Sequence, residues 1–392
     1  MGYQMTSSNP FKLRYEDVTL FFGAGVLREK LPENVKGSRR ALIVSSKSAA
    51  KVSGALDAIM DSLREAGVEY LVYDRVKPNP YTSIIDEASR MALESKVDLI
   101  IAAGGGSVID VAKIASITAV TGASAADILR NQGLALNSPR LRLIAVNLTH
   151  GTGSEVDRYA VATIDGTIEK RGVAVRYPDL GFDDPLYTRT LSRDQTVYTS
   201  LDAFYHAYES ATSRYSNPLT ATLAREAVGI VTRFLPRVLR DPGNVDYRER
   251  LLYASMIAGI AIDQSMTHLG HAIEHAFSGL YPELPHGAGL GIIGPAVVYY
   301  THKAVPEASA LVLKPLAPGV KPVSGDAWKA YTAVKGFQES IGFDQRLSDY
   351  GVDRSDVEKA LEFAMRMINT RYTSIPFKVD VEILRDIVER SL

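Results

Sequence analysis

Short apolar runs alternate with amphipathic stretches through the first half of the chain, and this pattern restricts its fold more than any other feature. Strands are predicted at residues 40–45, 70–73, 97–103 and 141–146, and the last two are apolar enough to be buried on both faces. Between them, residues 48–65 and 81–95 repeat their apolar positions every three or four residues, as helices do. Such βα units form a mostly parallel, doubly wound sheet. We therefore predict a Rossmann-like α/β domain over residues 1–190.

Beyond residue 190 long stretches with helical periodicity dominate. They cover residues 197–213, 218–234, 247–276 and 355–366. Residues 305–323 are rich in proline and alanine and are predicted to form a surface connection. We expect an all-α second domain over residues 191–392, because a chain of 392 residues is long enough for two cores.

Charge and cysteine content exclude several classes of protein. The net charge of −1 gives no reason to expect nucleic acid or an anionic membrane as a partner. The chain has no apolar run long enough to span a membrane and no secretory-type amino terminus, so we expect a cytoplasmic protein. Because it has no cysteine, a bound metal must use nitrogen and oxygen ligands.

Two turns rich in glycine and hydroxyl groups follow the predicted strands at 97–103 and 141–146. The first is Gly104, Gly105, Gly106 and Ser107, and the second is THGTGSE at residues 149–155. Glycine lets the backbone approach a ligand, and the helix that follows directs its free N–H groups there. A lone glycine triplet is weak evidence, since tight βα turns use glycine anyway. Two such turns at strand ends favour a bound pyrophosphate.

Four of the seven histidines lie within residues 268–286. His271 and His275 are four residues apart and would share one face of a helix. Neutral imidazole is the commonest metal ligand, so the cluster favours a metal site. The string His271-x-x-Glu274-His275 also fits the inverted zinc-protease pattern. A third interpretation is that these are hydrogen-bonded core histidines.

Taken together, the motifs resemble those of the iron-containing (group III) alcohol dehydrogenases, within the dehydroquinate synthase-like fold. The matching segments are FGAG at 22–25, VKPNP at 76–80, GGGSVIDVAK at 104–113, GTGSE at 151–155, DAFYH at 202–206, the His271/His275 pair and PHG at 285–287. The match is least clear after about residue 300. The resemblance implies an NAD(P)-dependent alcohol dehydrogenase or aldehyde or ketone reductase that transfers hydride between an alcohol and nicotinamide C4.

The resemblance also implies that Fe²⁺, or alternatively Zn²⁺, is bound by Asp202, His206, His271 and His286. The spacing agrees with this, because Asp202 and His206 lie at i and i+4 of a predicted helix. His271 lies on a second helix, and His286 is expected in the turn after it. Three imidazoles and one carboxylate leave a coordination position for substrate, on which the metal acts as a Lewis acid.

His275 is the predicted catalytic residue, since the matching histidine of the family lies beside nicotinamide and substrate and would relay or orient the hydroxyl proton. Glu274 is expected to support a metal ligand or to lie at the surface, and His268 and His302 to be structural. The protease alternative leaves the Asp202/His206 pair without a function. A second alternative is a lyase or polyol dehydrogenase of the dehydroquinate synthase or glycerol dehydrogenase kind, and a third is a binding protein with a vestigial site.

The cofactor is predicted to contact residues of the glycine-rich turns and of nearby segments. These are Ser46, Asn79, Gly104, Gly105, Gly106, Ser107, Asp110, Thr149, Thr152 and Lys170. NAD-preferring relatives often carry an acidic residue where Ser46 stands, within Ser45-Ser46-Lys47-Ser48. Three hydroxyls and an ammonium suit a 2′-phosphate, so we expect NADP to be preferred and NAD to be the alternative. A competing interpretation is a polar turn that caps the next helix, with Lys47 in solvent.

Two features depart from the family, and one bears on assembly. Residues 279–285 contain one residue more than expected, and His150 stands where a small residue is usual. Relatives commonly dimerise through the amino-terminal part, where residues 12–20 have strand character. We expect a homodimer or higher homo-oligomer that acts on a small-molecule alcohol or aldehyde.

Overall fold

A computed structural model describes residues 18–392 as two compact units. The α/β unit extends to Thr196 and also includes Arg240–Leu252. The helical unit comprises Val197–Leu239 and Tyr253–Leu392. Most of the strand-like segment at residues 12–20 lies outside the described residues. No helix within residues 18–392 is long and apolar enough to cross a membrane.

A six-stranded parallel sheet forms the centre of the α/β unit. The eight strands described in the unit, six of which form this sheet, are β1 (Thr19–Phe22), β2 (Arg40–Ser46), β3 (Glu69–Val76), β4 (Leu99–Gly104), β5 (Arg142–Asn147), β6 (Tyr159–Thr163), β7 (Lys170–Ala174) and β8 (Leu180–Asp183). The sheet order is β1-β8-β5-β4-β2-β3, and β6 and β7 form a separate antiparallel pair. Ile101 of β4 pairs with Ile43 of β2 and Ile144 of β5, so the apolar runs become the buried centre of the sheet.

Seven α-helices lie between residues 18 and 190. They are α1 (Val26–Val35), α2 (Ala49–Ser53), α3 (Ala55–Glu65), α4 (Thr82–Glu94), α5 (Gly106–Thr121), α6 (Ala125–Arg130) and α7 (Gln132–Asn137). The single helix predicted over residues 48–65 is wrong. Gly54 has a φ of 81°, which ends α2 and starts α3. The apolar periodicity continues across this break, but glycine adopts the left-handed conformation without steric cost.

Nine further helices follow. They are α8 (Arg193–Thr212), α9 (Pro218–Arg240), α10 (Val245–Ser265), α11 (Leu269–Leu280), α12 (His286–Ala304), α13 (Pro306–Leu313), α14 (Ala327–Ser340), α15 (Arg354–Thr370) and α16 (Val381–Glu389). The predicted fold class, a parallel α/β unit followed by helices, is confirmed.

Two predictions in the helical half are wrong. Residues 247–276 form two helices instead of one, because Met266 has a φ of 64° and His268 caps a new helix, α11. The predicted surface connection at 305–323 contains α13, and Leu313 at its end is fully buried. Proline stands at the first position of α13, where its missing N–H is not needed.

Glycines on α12 allow it to pack closely against α8. A Cβ at Gly287, Gly291 or Gly294 would collide with Tyr198, Leu201 or Tyr205 of α8 respectively. These glycines are four and three residues apart, so they lie along one face of the helix. His286 is therefore the first residue of a helix and not part of a turn, as the sequence had led us to expect.

Candidate metal centre and cofactor-binding turns

Four side chains from three helices of the helical unit converge around Asp202. Its Oδ1 lies 3.5 Å from His206 Nε2, 3.7 Å from His286 Nε2 and 3.9 Å from His271 Nε2. Asp202 and His206 come from α8, His271 from α11 and His286 from the start of α12. Asp202, His206 and His271 are buried, while the side chain of His286 is 25 % exposed. The structure thus brings together all four residues predicted as ligands.

The donor set fits a cation. Within residues 18–392, Asp202 Oδ1 and His271 Nε2 are buried without a hydrogen-bond partner. Bonds of about 2.0–2.1 Å in a tetrahedral site separate ligand atoms by roughly 3.4 Å, close to the distances seen here. Asp202, His271 and His286 can together contact one ion. Nitrogen and oxygen donors suit both iron and zinc.

Burial and mutual charge set the protonation of these groups. Burial raises the pKa of Asp202, but the three histidines outweigh it and hold the pKa well below its usual range. Burial lowers the pKa of His206 to about 4, so its imidazole is neutral. Burial also lowers the pKa of His271, but Glu209 and Asp202 outweigh it and raise the pKa to about 9. His206 is therefore already in the neutral form that binds metal, whereas His271 must release a proton when a metal binds.

Glu209, which the sequence analysis did not single out, supports His271. It is fully buried on α8 and accepts hydrogen bonds from His271 Nδ1 at 3.0 Å, His271 N at 3.3 Å and His268 N. A Cβ at Gly270 would collide with Glu209 Oε1, so glycine there permits this approach. Because Nδ1 donates to Glu209, Nε2 of His271 is left to face Asp202. The sequence could have indicated Glu209, because it lies seven residues, or two helical turns, after Asp202 and therefore on the same face of the helix.

Glu274 supports His286 in the same way. It is buried, and His286 Nδ1 donates a hydrogen bond to its Oε2. Of the two expectations for Glu274, the structure therefore excludes the surface position. Glu274 Oε2 also lies 4.0 Å from Nε2 of His275, whose Nδ1 is 3.0 Å from Tyr372 Oη. Glu274, His275 and His286 form a second group whose ligand atoms are close together.

His268 and His302 are buried and hydrogen-bonded, as structural histidines are. His268 Nε2 lies 2.8 Å from Thr212 Oγ1, and His302 Nδ1 lies 3.0 Å from Ser309 Oγ.

In the α/β unit, the two glycine-rich turns lie against each other. β4 ends at Gly104 and α5 begins at Gly106, with Gly105 at its N-cap and no side-chain cap. A Cβ at Gly105 would lie 2.7 Å from Thr149 Cγ2, and a Cβ at Gly106 would collide with Thr152. The absence of side chains at these glycines therefore allows the second turn to pack against the first. The N–H groups in the first turn of α5 are not capped by any side chain and can bind an anion.

Predicted cofactor residues beyond the glycines are held by protein contacts. Asp110 accepts a hydrogen bond from Ser154 Oγ at 2.7 Å and one from Val161 N at 3.0 Å. Lys170 Nζ donates to Asn79 Oδ1 at 2.9 Å, and both residues are buried. Asn79 has a φ of 50°, which asparagine tolerates better than most residues. The structure therefore brings Asn79 and Lys170 together and ties Asp110 to the second turn.

The end of β2 and the two residues after it are less suited to a phosphate than the sequence suggested. Ser45 is buried and donates to Ala103 O at 3.0 Å, so its hydroxyl faces inward, which corrects the expectation of three available hydroxyls. Ser46 Oγ accepts a hydrogen bond from Ala49 N at 3.4 Å, near the start of α2. Lys47 and Ser48 are exposed.

His150 is accommodated by a buried arginine. His150 and Arg248 are fully buried, and Arg248 Nη1 lies 3.2 Å from His150 Nε2. Burial and the charge of Arg248 lower the pKa of His150 to about 3, so the imidazole is neutral and can accept. The larger side chain at position 150 is thus buried in the protein interior, next to Arg248.

Glu155 of the second turn and Asp183 of β8 are two neighbouring buried carboxyl groups. Glu155 ends the GTGSE motif, and Asp183 accepts a hydrogen bond from Asn147 Nδ2 at 3.0 Å. Both are fully buried. Burial raises the pKa of Asp183 to about 7, and burial with the charge of Asp183 raises that of Glu155 well above its usual value. The two groups hold a proton at pH values where exposed carboxyls are ionised.

Comparisons with known proteins identify the family. The family model described as iron-containing alcohol dehydrogenase matches residues 18–185, and that of the Fe-containing alcohol dehydrogenase family, C-terminal, matches residues 196–388. The chain is 37 % identical over 370 residues to a long-chain primary alcohol dehydrogenase of Thermoanaerobacter ethanolicus, covering 92 % of each chain.

Solved structures agree with the family models. An archaeal halo-thermophilic alcohol dehydrogenase from a Red Sea brine pool has a TM-score of 0.89 and 28 % identity, covering 98 % of this chain and 100 % of that one. An NADH-dependent butanol dehydrogenase of Thermotoga maritima has a TM-score of 0.87 and 26 % identity, with coverage of 98 % and 99 %. The chain therefore belongs to the iron-containing alcohol dehydrogenase family and is an oxidoreductase that acts on CH–OH groups.

Proposed function

We propose that this alcohol dehydrogenase binds Fe²⁺ through Asp202, His206, His271 and His286. The observation that carries the proposal is the convergence of three imidazoles on one buried carboxylate whose Oδ1 has no hydrogen-bond partner within residues 18–392. A bound metal ion would supply Lewis-acid polarisation of the substrate oxygen. The lyase alternative is not favoured, since the family matches are to alcohol dehydrogenases.

The chain's own residues would prepare the substrate for hydride transfer to nicotinamide. Glu209 and Glu274 hold His271 and His286 with their Nε2 atoms towards Asp202. His275 stands one helical turn from His271, where it would orient the substrate hydroxyl or take its proton. The uncapped start of α5 and the turn at residues 149–155 would bind the cofactor's pyrophosphate.

Primary aliphatic alcohols and their aldehydes are the proposed substrates. Support comes from two proteins similar to this chain, a long-chain primary alcohol dehydrogenase and a butanol dehydrogenase. The test is a series of linear alcohols and aldehydes of increasing length, followed by the absorbance of reduced nicotinamide. We expect turnover that depends on chain length. Absence of any absorbance change across the series, with metal-loaded protein, would refute the proposal.

Iron is proposed over zinc because the chain belongs to the iron-containing family. The general order of metal affinities would favour zinc at a site of this kind. Protein purified anaerobically should contain iron, and apoprotein should regain activity with Fe²⁺. Activity restored by Zn²⁺ and not by Fe²⁺ would contradict this proposal.

NADP is the proposed preferred cofactor. Ser46 stands where an acid would repel the 2′-phosphate, and exposed Lys47 and Ser48 lie beside it. Ser45 faces inward, so the proposal depends on Ser46, Lys47 and Ser48. The similar butanol dehydrogenase of Thermotoga maritima is NADH-dependent, which makes NAD the alternative cofactor. The test is kcat/KM for each cofactor, with Ser46→Asp expected to shift preference towards NAD while metal content stays constant. A tenfold preference of the unaltered protein for NAD, about 1.4 kcal/mol, would overturn the assignment.

We also propose a homodimer or higher homo-oligomer formed through residues 12–20. Support comes from β1, which is an edge strand of the six-stranded sheet. Light scattering at micromolar concentration should give a multiple of the chain mass of 42.7 kDa. A mass equal to that of one chain would contradict the proposal.

A further inference from the structure

Tyr372 lies against His275, although no motif of the sequence singled it out. Its Oη is 3.0 Å from His275 Nδ1, and the two ring centroids are 6.5 Å apart with the planes at 63°. It follows α15 in a segment that is fixed at several points. Ser374 Oγ donates to Thr267 O at 2.5 Å, and Arg214 N donates to Ser374 O at 2.8 Å. The phenol is therefore held against the imidazole by its neighbours in the chain.

The hydrogen atom of the Tyr372–His275 hydrogen bond is covalently bound to the phenol oxygen. Within residues 18–392, His275 Nδ1 is the one hydrogen-bond partner of Tyr372 Oη. Burial and the charges of Glu209 and Glu274 raise the pKa of Tyr372, so the phenol keeps its proton. A phenol O–H with one acceptor in reach donates to it, and Nδ1 must then carry a lone pair.

The opposite edge of the imidazole favours the same arrangement. His275 Nε2 lies 4.0 Å from Glu274 Oε2, and Glu274 is buried. A proton on Nε2 is attracted by this carboxylate, whereas a lone pair there would be repelled by it. Both edges of the ring thus select the tautomer with hydrogen on Nε2.

We infer that Tyr372 is a positioning residue that directs the proton of His275 to Nε2 by donating its own hydroxyl proton to Nδ1, so that His275 presents a hydrogen-bond donor and not a base beside Glu274. The catalytic meaning of this inference rests on the proposed alcohol dehydrogenase function. A donor there would orient the substrate oxygen and stabilise negative charge that develops on it, which is the orienting role and not the proton-accepting role of the two proposed for His275.

The tautomer can be measured without turnover. Protein labelled with ¹⁵N-histidine and loaded with diamagnetic Zn²⁺ would be examined by long-range ¹H–¹⁵N correlation, with the His275→Ala variant identifying the resonances. We expect a protonated, pyrrole-type Nε2 and an unprotonated, pyridine-type Nδ1. Tyr372→Phe should shift both resonances towards a mixture of tautomers. A proton on Nδ1 in the unaltered protein, or no change in Tyr372→Phe, would overturn the inference.

Kinetics provide a second and separate readout. Tyr372→Phe should lower kcat roughly tenfold, the effect of one lost hydrogen bond, with KM for the nicotinamide cofactor unchanged. The matched control is Tyr300→Phe, which removes a hydroxyl that donates to Asp386 at 2.8 Å, and its kcat should stay within about twofold of the unaltered protein. Equal kcat in Tyr372→Phe and the control would overturn the inference. Absence of turnover in all proteins would refute the proposed function and leave the tautomer measurement to decide this one.

Discussion

Replacing Glu209 by glutamine should weaken metal binding although Glu209 is not a proposed ligand. Burial alone would raise the pKa of Glu209, but His271 and His268 outweigh it and lower the pKa from 4.5 to about 2. The pKa of His271 moves in the opposite direction, from 6.5 to about 9. Each shift corresponds to about 3 kcal/mol of interaction, in the range known for breaking buried ion pairs.

Glutamine has nearly the same size but only one acceptor atom. Glu209 Oε2 accepts from His271 Nδ1 and His268 N, and Oε1 accepts from His271 N. In Glu209→Gln the amide NH₂ must face a buried N–H, which loses its acceptor. His271 is then less firmly held with Nε2 towards Asp202. We expect the metal dissociation constant to rise ten- to a hundredfold, about 1.4–2.7 kcal/mol.

The assay is a competition titration of apoprotein with Co²⁺ and a chromophoric chelator, with thermal unfolding measured in parallel. The control is Glu226→Gln, an exposed position on α9, which should bind metal within about twofold of the unaltered protein. A folded Glu209→Gln protein with the affinity of the control would refute the role assigned to Glu209.

Two other substitutions test packing and buried charge. In Gly287→Ala the added Cβ would clash with the Tyr198 carbonyl oxygen, so this variant should displace the first turn of α12, lower metal affinity and lower Tm. The control is Gly336→Ala, where the added Cβ meets open space; its metal affinity should be unchanged and its Tm unchanged or higher. Equal metal affinity in the two variants would contradict the packing argument. Folding raises the pKa of both Glu155 and Asp183, so the free energy of unfolding falls as the pH rises above about 4, by up to about 1.4 kcal/mol per pH unit for each proton. For Asp183 this loss is complete once the pH has passed about 7. Urea unfolding between about pH 5 and about pH 8 should show a flatter dependence in Glu155→Gln, and an unchanged slope would show that the pair does not titrate in this range.

Much of the fold follows from local patterns. Strands β2, β4 and β5 were predicted from their apolar runs, because a strand buried on both faces has little room for polar residues. The four converging residues could be named from their spacing and from the family resemblance, because i and i+4 positions share a helix face. Their convergence around Asp202 is a tertiary arrangement, which the structure supplies.

Other features depend on contacts that sequence patterns do not contain. The apolar period runs through residues 265–269, but Glu209, about sixty residues away in the chain, accepts the N–H of His268 at the start of α11. His286 was expected in a turn, but it is the first residue of α12. The helix can begin there because Gly287 allows close packing against Tyr198. Ser45 was expected to face a phosphate, and its burial beside Ala103 was not visible from its residue type.

The metal content of Asp202→Ala tests the central claim most directly. Asp202 Oδ1 is the atom on which all three imidazoles converge, and its removal should leave the histidines without a common carboxylate. Anaerobically purified and iron-reconstituted protein should hold roughly one ion per chain and turn over alcohol. Asp202→Ala should hold no ion after the same dialysis and lose turnover, while Asp241→Ala at an exposed position should match the unaltered protein. Full metal content and full activity in folded Asp202→Ala would contradict the account.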